Sequence, residues 1–460
     1  MDARRKIFYG RDRVLFEMTQ GLLAPQPQSF SLVGPKLIGK SQLLHFLAAE
    51  DGPLLGDDFA GRRPLAFEDG TRVIVVWVDC DWQDAQQDLI GWIYRQVQRH
   101  VREAGIGLEW AAIEAEATTS RRIWRIARAL REQELRLVLL MDNFDRVFEE
   151  QWMRRETVDE LRPLTLEMAL VVATEQPLHD LDRELAASPL FNVMTQLFLG
   201  LLDQTAARAW VLSYADEFNG VADLADALVD LTGMHPFLLR RLGDILLEVR
   251  EMGVGGGPLG PEHLPLLRLR LAEHGRLVFE TSYRRLQRLP PRIRPESVAK
   301  LVATMLAGAV PLAGIQPEDS AALNWMINQA MVICCVRGRD SGYQFFTPLF
   351  TEYLARRMGS EPAPKPEPAP AAVTLPEAAL DQLTKTEAAL LRYFKAHENQ
   401  VVSTEQLLAD IWKRPDASNR RVQEAIRRLR LQLEELDNPI GTIENDRGRG
   451  YRFVPANSPA

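Results

Sequence analysis

Cysteine is nearly absent, with three in 460 residues, at positions 80, 334 and 335. One distant and two adjacent thiols make neither a disulfide framework nor a metal-ligand spacing, which fits a reducing, cytoplasmic setting. Cys334 and Cys335 lie in an apolar run and are expected to be small core residues. No apolar run reaches the roughly 18 residues that a membrane span needs, so no membrane partner is expected. The opening MDARRKIFYGRD has no apolar stretch behind it, which argues against a secretory signal. There is no excess of positive charge either. The formal net charge is −8, so nucleic-acid contact must come from a local patch. No solenoid-period repeat is found. The remainder is ordinary globular composition, 46% hydrophobic and 26% charged, at a length that calls for about three domains.

The clearest boundary is SEPAPKPEPAPAAVTLPEAA (360–379), with proline at 362, 364, 366, 368 and 370. Such a segment favours polyproline II and acts as a semi-rigid spacer. Before it, the continuous apolar runs 29–33, 71–80, 135–142 and 166–175 alternate with amphipathic stretches such as SRRIWRIARALREQ. Buried strands alternating with helices predict an α/β fold with a parallel sheet. Residues 201–252 read as helical. Residues 260–357 are mostly helical and finish in two strand-like runs and a helix, an internal winged-helix-like domain. The expected layout is therefore a core (1–200), a helical lid (201–252), the internal winged-helix-like domain (260–357), a Pro-rich linker (358–379) and a C-terminal module (380–455).

The first run leads into Gly34-Pro35-Lys36-Leu37-Ile38-Gly39-Lys40-Ser41, followed by the helical QLLHFLAAE. This is the G-x-x-x-x-G-K-[ST] phosphate loop. The glycines let backbone N–H groups curl toward phosphate oxygens, and the helix adds its positive end, where Gln42 also lies. Lys40 then serves the β- and γ-phosphates and Ser41 holds Mg²⁺. The run LRLVLLMD ends in Asp142, placed to hold Mg²⁺ as a Walker B acid. Asn143, which follows it, cannot accept a proton, whereas many hydrolytic relatives carry Glu there. Asp145 is the substitute carboxylate. These features predict ATP or ADP binding with slow hydrolysis. Thr174, at the end of VVAT, reads equally well as a γ-phosphate sensor and as a plain strand-end threonine.

Four features together resemble the STAND class of signal-transduction ATPases, a branch of the AAA+ superfamily: FYGRDRVL (8–15), GPKLIGKSQLL, LVLLMDNFDRV and TGMHPFLLRRL (232–242). The resemblance covers about residues 5–357. It implies that Gly10 and Arg11 lie near adenine and ribose, that Pro236 approaches the base from the lid, and that nucleotide controls an opening that usually leads to homo-oligomers. No sensor array is visible, so the signal ligand or protein is unassigned. Asn143 and the lack of an evident arginine finger are departures from the family pattern.

In the tail, Ser403 and Gln406 form a capping box, as do Thr384 and Glu387. Val422, Ile426, Leu429 and Leu433 make a core-facing helical stripe, and TIEN and YRFV flank the turn DRGRG. The module closely resembles the OmpR/PhoB-type winged helix-turn-helix, the effector domain familiar from phosphorelay regulators, on LT-x-TE, VVS-x-EQLL, R-x-V-x-x-x-I-x-x-LR and RG-x-GYRF. Residues 376–460 hold 13 basic and 13 acidic side chains, yet the third helix carries five arginines. By that analogy Arg420, Arg421, Gln423, Glu424, Arg427 and Arg430 face double-stranded DNA in the major groove, and Arg447 and Arg449 reach the minor groove from the wing. Trp412 and Tyr393 are expected in the module's core. The chain thus reads as a nucleotide-switched, DNA-binding transcriptional regulator. A defence or signalling scaffold and a DNA-stimulated ATPase are the alternatives.

Overall fold

The computed structural model describes residues 8–56, 72–82, 88–149, 155–181, 189–251, 258–337, 340–359, 385–398, 400–411, 441–446 and 450–455. It also describes Val422, Ala425, Ile426, Leu429, Arg430 and Leu433. The linker 360–379, Thr384 and Trp412 lie outside them. The chain divides into two compact units, Met1–Ser360 and Glu361–Ala460.

In the first unit, β1 (Ser29–Val33), β2 (Arg72–Asp79), β3 (Leu135–Asp142), β4 (Ala169–Thr174) and β5 (Met194–Phe198) form one parallel sheet, ordered β2-β3-β4-β1-β5. Every residue of β1 and β4 is buried, as expected of central strands covered on both faces. One face packs on the helices Leu89–Glu103 and Thr119–Glu132, whose buried residues recur at helical spacing. The other face packs on the helices Asp12–Leu22 and Lys40–Ala48. Four of the strands fall within the expected runs. β5 does not, because MTQLF is short, mixed in polarity and lies at the sheet edge.

Beyond β5 come the helices Gln204–Leu212, Ala225–Thr232 and Pro236–Glu251, in the span that reads as helical from the sequence. Four further helices follow: Leu264–His274, Arg276–Gln287, Pro295–Ala307 and Ser320–Asn328. The strands β6 (Val310–Pro311), β7 (Val332–Arg337) and β8 (Asp340–Phe345) make an antiparallel sheet ordered β6-β8-β7, and the helix Pro348–Arg357 ends the unit. Lid and winged-helix segments share a single hydrophobic core running from Leu202 to Leu354. Gly233 sits at the join: its φ is +59°, and a Cβ there would lie 2.2 Å from the Phe346 carbonyl oxygen. Cys334 and Cys335 correct the expectation of two core thiols. β7 is an edge strand, Cys334 is exposed, and Cys335 is half-buried with its Sγ 3.4 Å from the Gly342 carbonyl.

The second unit contains the helices Lys385–Ala396 and Thr404–Asp410, with β9 (Val401–Val402), β10 (Gly441–Asp446) and β11 (Gly450–Pro455) in a sheet ordered β10-β11-β9. The Ser403 hydroxyl accepts the Gln406 N–H and the Gln406 side chain accepts the Ser403 N–H, a reciprocal cap. Val422, Ile426, Leu429 and Leu433 are buried together with Phe394, Leu407 and Phe453. Tyr393 packs beside this core and donates its hydroxyl to Asp410 at 2.6 Å; burial, with help from that carboxylate, pushes its pKa up to about 12.

Candidate functional site

The carboxyl ends of the central strands bring the phosphate-loop residues together. The Gly34 N–H donates to the Thr174 carbonyl at 3.1 Å, fixing the loop's start on β4. A Cβ on Gly34 would sit 2.5 Å from the Leu199 carbonyl oxygen, so only glycine fits. Leu37 and Gly39 have φ of +65° and +100°, and these two reversals curl the loop. The space in front of Gly39 is open, and no side chain caps the helix Lys40–Ala48 that starts there. The first turn of such a helix presents orphan N–H donors and a positive dipole end, which is an anion cradle. The residues therefore fit a bound phosphate chain.

Lys40 lies under this loop, its Nζ donating to the carbonyls of Gly34 at 2.7 Å and Pro35 at 3.2 Å. Burial pulls its pKa below the usual lysine range, and the charges of Glu175, Asp145 and Asp142 oppose that fall. An anion brought beside this ammonium would oppose the effect of burial further and favour the charged form. Ser41 and Gln42 occupy the first helical turn, Ser41 half-buried and Gln42 exposed.

Asp142 is buried at the end of β3, in register with Asp79 of β2, and its Oδ1 accepts the Asn143 N–H at 3.0 Å. Asn143 is left-handed at φ +51° and donates its amide to Asp79 at 3.0 Å. Asp145 stands half-buried in the following turn. Burial, then the charge of Glu175, pushes its carboxyl above the usual range, against the pull of Lys40. Thr174 is fully buried and its hydroxyl donates to the Gln176 carbonyl at 2.7 Å. The hydroxyl proton is thereby committed to its own chain.

The opening motif and the lid motif also meet. Gly10, at φ +65°, packs so closely on the helix Gln204–Leu212 that a Cβ would lie 2.4 Å from Ala206. Arg11 is buried and donates to the carbonyls of Gly200 at 2.6 Å and of Leu201 and Ile38 at 3.3 Å. Its guanidinium is thus a brace between the phosphate loop and the segment that follows β5. Burial lowers its pKa to about 10, which Asp203 partly offsets. His235 is buried beside it; burial, then Arg11, lowers its pKa to about 3, and its Nδ1 accepts the Phe237 N–H. Pro236 occupies the first position of the helix Pro236–Glu251.

Sequence reading missed two residues here. Glu175, directly after Thr174, pairs with Lys36 of the loop at 3.3 Å and with Arg285 of the helix Arg276–Gln287. Arg285 also donates to the Gln329 side chain at 2.8 Å. Nothing in RRLQRL distinguishes Arg285 from its neighbours.

In the second unit, Arg430 is half-buried. Its Nε donates to the Ile443 carbonyl at 2.7 Å and its guanidinium lies 5.9 Å from the Tyr451 ring, so it ties the third helix to the wing. Arg420, Arg421, Gln423, Glu424, Arg427, Arg447 and Arg449 fall outside the described residues.

The first unit has the parallel-sheet α/β fold of the P-loop ATPases, with a helical lid and a winged-helix segment, and a winged helix-turn-helix follows it in the second. Residues 381–453 match the family described as "Transcriptional regulatory protein, C terminal", which makes this module an OmpR/PhoB-type domain. A curated relative, the Transcriptional regulatory protein YvrH of Bacillus subtilis, is 39% identical over 67 residues, 14% of this chain. The match spans 28% of YvrH's length. Two solved structures are similar at low identity. The Aeropyrum pernix ORC2 protein (ADPNP-ADP complexes) is 12% identical, with 78% of this chain and 99% of that chain covered and a TM-score of 0.44. The Aeropyrum pernix ORC1 protein in complex with DNA is 16% identical, with 77% and 94% covered and a TM-score of 0.37.

Proposed function

We propose that this chain is a nucleotide-controlled transcriptional regulator, in which ATP or ADP bound at Gly34–Gln42 governs how the C-terminal module engages double-stranded DNA. The observation that carries the reading is the half-buried Lys40, its Nζ held on the loop carbonyls at an uncapped helix start, in one chain with a transcriptional-regulator module at 381–453. The name of YvrH supports the same output.

In this reading the loop N–H groups and Lys40 bind the phosphates, and Ser41 and Asp142 hold Mg²⁺, which would screen phosphate charge. Lys36 reaches the phosphates from the exposed side of the loop. Gly10, Arg11 and Pro236 frame the base side, Arg11 by bracing the backbone. Asp145 is the available proton acceptor, since Asn143 has no basic oxygen and its amide is held by Asp79. Turnover is slow for that reason, and a single-turnover rate of many per second would refute this part. The DNA surface comprises Arg420, Arg421, Gln423, Glu424 and Arg427, with Arg447 and Arg449 on the wing. Arg430 orders the wing against the helix. Homo-oligomerisation, as in STAND proteins, would present several modules together and raise occupancy through effective concentration.

The test is capture of genomic fragments by the full chain with ATP and with ADP. The reading expects sequence-selective enrichment that differs between the nucleotides and is lost in Arg420→Ala/Arg427→Ala. Equal enrichment with both nucleotides refutes the switch. DNA-accelerated turnover would point to a motor acting on DNA.

A further inference from the structure

The segment after β4 is where the winged-helix segment meets the phosphate loop. Glu175 there is contacted from two sides. Lys36 comes from the loop, and Arg285 comes from the end of the helix Arg276–Gln287. Their side chains are unequally exposed: Lys36 52%, Glu175 20% and Arg285 13%. The Glu175–Arg285 pair is therefore largely desolvated and the Lys36 contact is wet. The Gln329 side chain accepts from Nη1 of Arg285 at 2.8 Å, and its neighbour Ala330 packs in the same core as Ile38 of the loop. Seven residues after Arg285, Arg292 pairs with Asp180 at 2.8 Å and contacts His179 at 2.9 Å, farther along the segment that follows β4.

Two features set Glu175 apart from an ordinary surface acid. Its charge acts on Lys40 more strongly than either Asp142 or Asp145 does. It also engages two cations that belong to the phosphate loop and to a separate segment of the fold. An anion in that position has the charge and the partners of a terminal phosphate. A partly desolvated pair that loses one member leaves a costly unpaired charge, so Arg285 exchanges Glu175 only for another anion.

We propose that Glu175 is the residue that discriminates nucleoside triphosphate from diphosphate, by holding Arg285 and Lys36 until a third phosphate competes for them. This rests on the nucleotide reading of the loop. A diphosphate leaves the Glu175–Arg285 pair in place. A triphosphate brings its additional charge beside Glu175, takes Lys36 and Arg285 as partners, and so draws the end of the helix Arg276–Gln287 toward the loop. Arg292 and Asp180 stay paired in both states and act as the fixed side of this exchange. The preference between nucleotides is thereby set by one carboxylate that competes and one guanidinium that rewards.

The experiment is calorimetric titration of the full chain with Mg²⁺-AMP-PNP and with Mg²⁺-ADP, comparing wild type, Glu175→Gln, Arg285→Gln and Arg292→Gln, with Lys40→Ala as the loop control. Glu175→Gln should raise the triphosphate/diphosphate affinity ratio about tenfold, the equivalent of about 1.4 kcal/mol, and Arg285→Gln should lower it by a similar factor. Arg292→Gln should leave the ratio within about twofold while lowering the melting temperature. If Glu175→Gln unfolds, Glu175→Asp, a shorter carboxylate that loosens the Arg285 pair, should raise the ratio in the same sense. Wild-type binding that Lys40→Ala weakens, with ratios unmoved in the Glu175 and Arg285 variants, overturns the discrimination and keeps the loop reading. Failure of wild type to bind either nucleotide overturns both.

Discussion

The phosphate loop and the third tail helix both rely on basic side chains, but they hold them in opposite ways. Around the loop, Arg11 is buried and Lys40 half-buried, each held by backbone carbonyls, with carboxylates acting on Lys40. Their positions are fixed by close backbone contacts at Gly34 and Gly10. In the tail, an apolar stripe of Val422, Ile426, Leu429 and Leu433 is buried, in a segment whose sequence carries five arginines. Arg430 alone among the described ones is tied inward. A small ligand needs preorganised donors in a dry cradle, where each contact is strong. A duplex is long and uniformly charged, so its reader needs a rigid scaffold carrying solvated cations.

The contrast breaks first at the scaffold. Leu429→Ala removes a fully buried side chain from the smaller core and should destabilise the tail module by roughly 2–5 kcal/mol. A calorimetric scan should show the tail transition falling while the body transition stays put. A shared shift would mean the units do not unfold independently. Next in size is Lys40→Ala. Loss of a charge-assisted contact of about 1.5–3 kcal/mol should weaken nucleotide binding by roughly 10–100-fold, with tail–DNA affinity unchanged in anisotropy titrations.

His235 sharpens the body's side of the comparison. Its pKa is about 3 in the folded chain against 6.5 for the ordinary side chain. The unfolded chain therefore binds the proton first as pH falls. Stability is fully present above pH 6.5 and declines from there down toward pH 3. Between pH 7 and pH 5 the loss should be about 2 kcal/mol by linkage. His235→Asn keeps an acceptor for the Phe237 N–H and removes the titration, so urea midpoints should lose that part of their pH slope. The smallest effect is at the tail's cap, where Ser403→Ala should lower module stability by about 1 kcal/mol through loss of the reciprocal bond to Gln406. An unchanged melting temperature would show that the cap is redundant.

Much of the fold was legible because the signals are local. β1 and β3 span 29–33 and 135–142, as the uninterrupted apolar runs indicate, since central parallel strands bury both faces. β5 gave no such signal, being a short edge strand with only two of its five residues buried. The exposure of Cys334 was hidden for a related reason, because an apolar run does not reveal whether its strand is central or at the edge. In the site, the loop and its acid were readable from spacing. Arg11 was readable as a motif member, but its carbonyl partners at Gly200 and Leu201 lie about 190 residues away.

The sequence by itself determined the curl of the phosphate loop, the buried strand that ends in Asp142, and the identity of the tail. The first two depend on residues close together in the chain, and the third on several short motifs, each local in itself. Only the tertiary structure decided that Thr174 turns its hydroxyl to Gln176 and that Glu175 meets Lys36 and Arg285. The pairing of charges 110 residues apart follows from where packed segments place them, and no local pattern of charge or hydrophobicity encodes it.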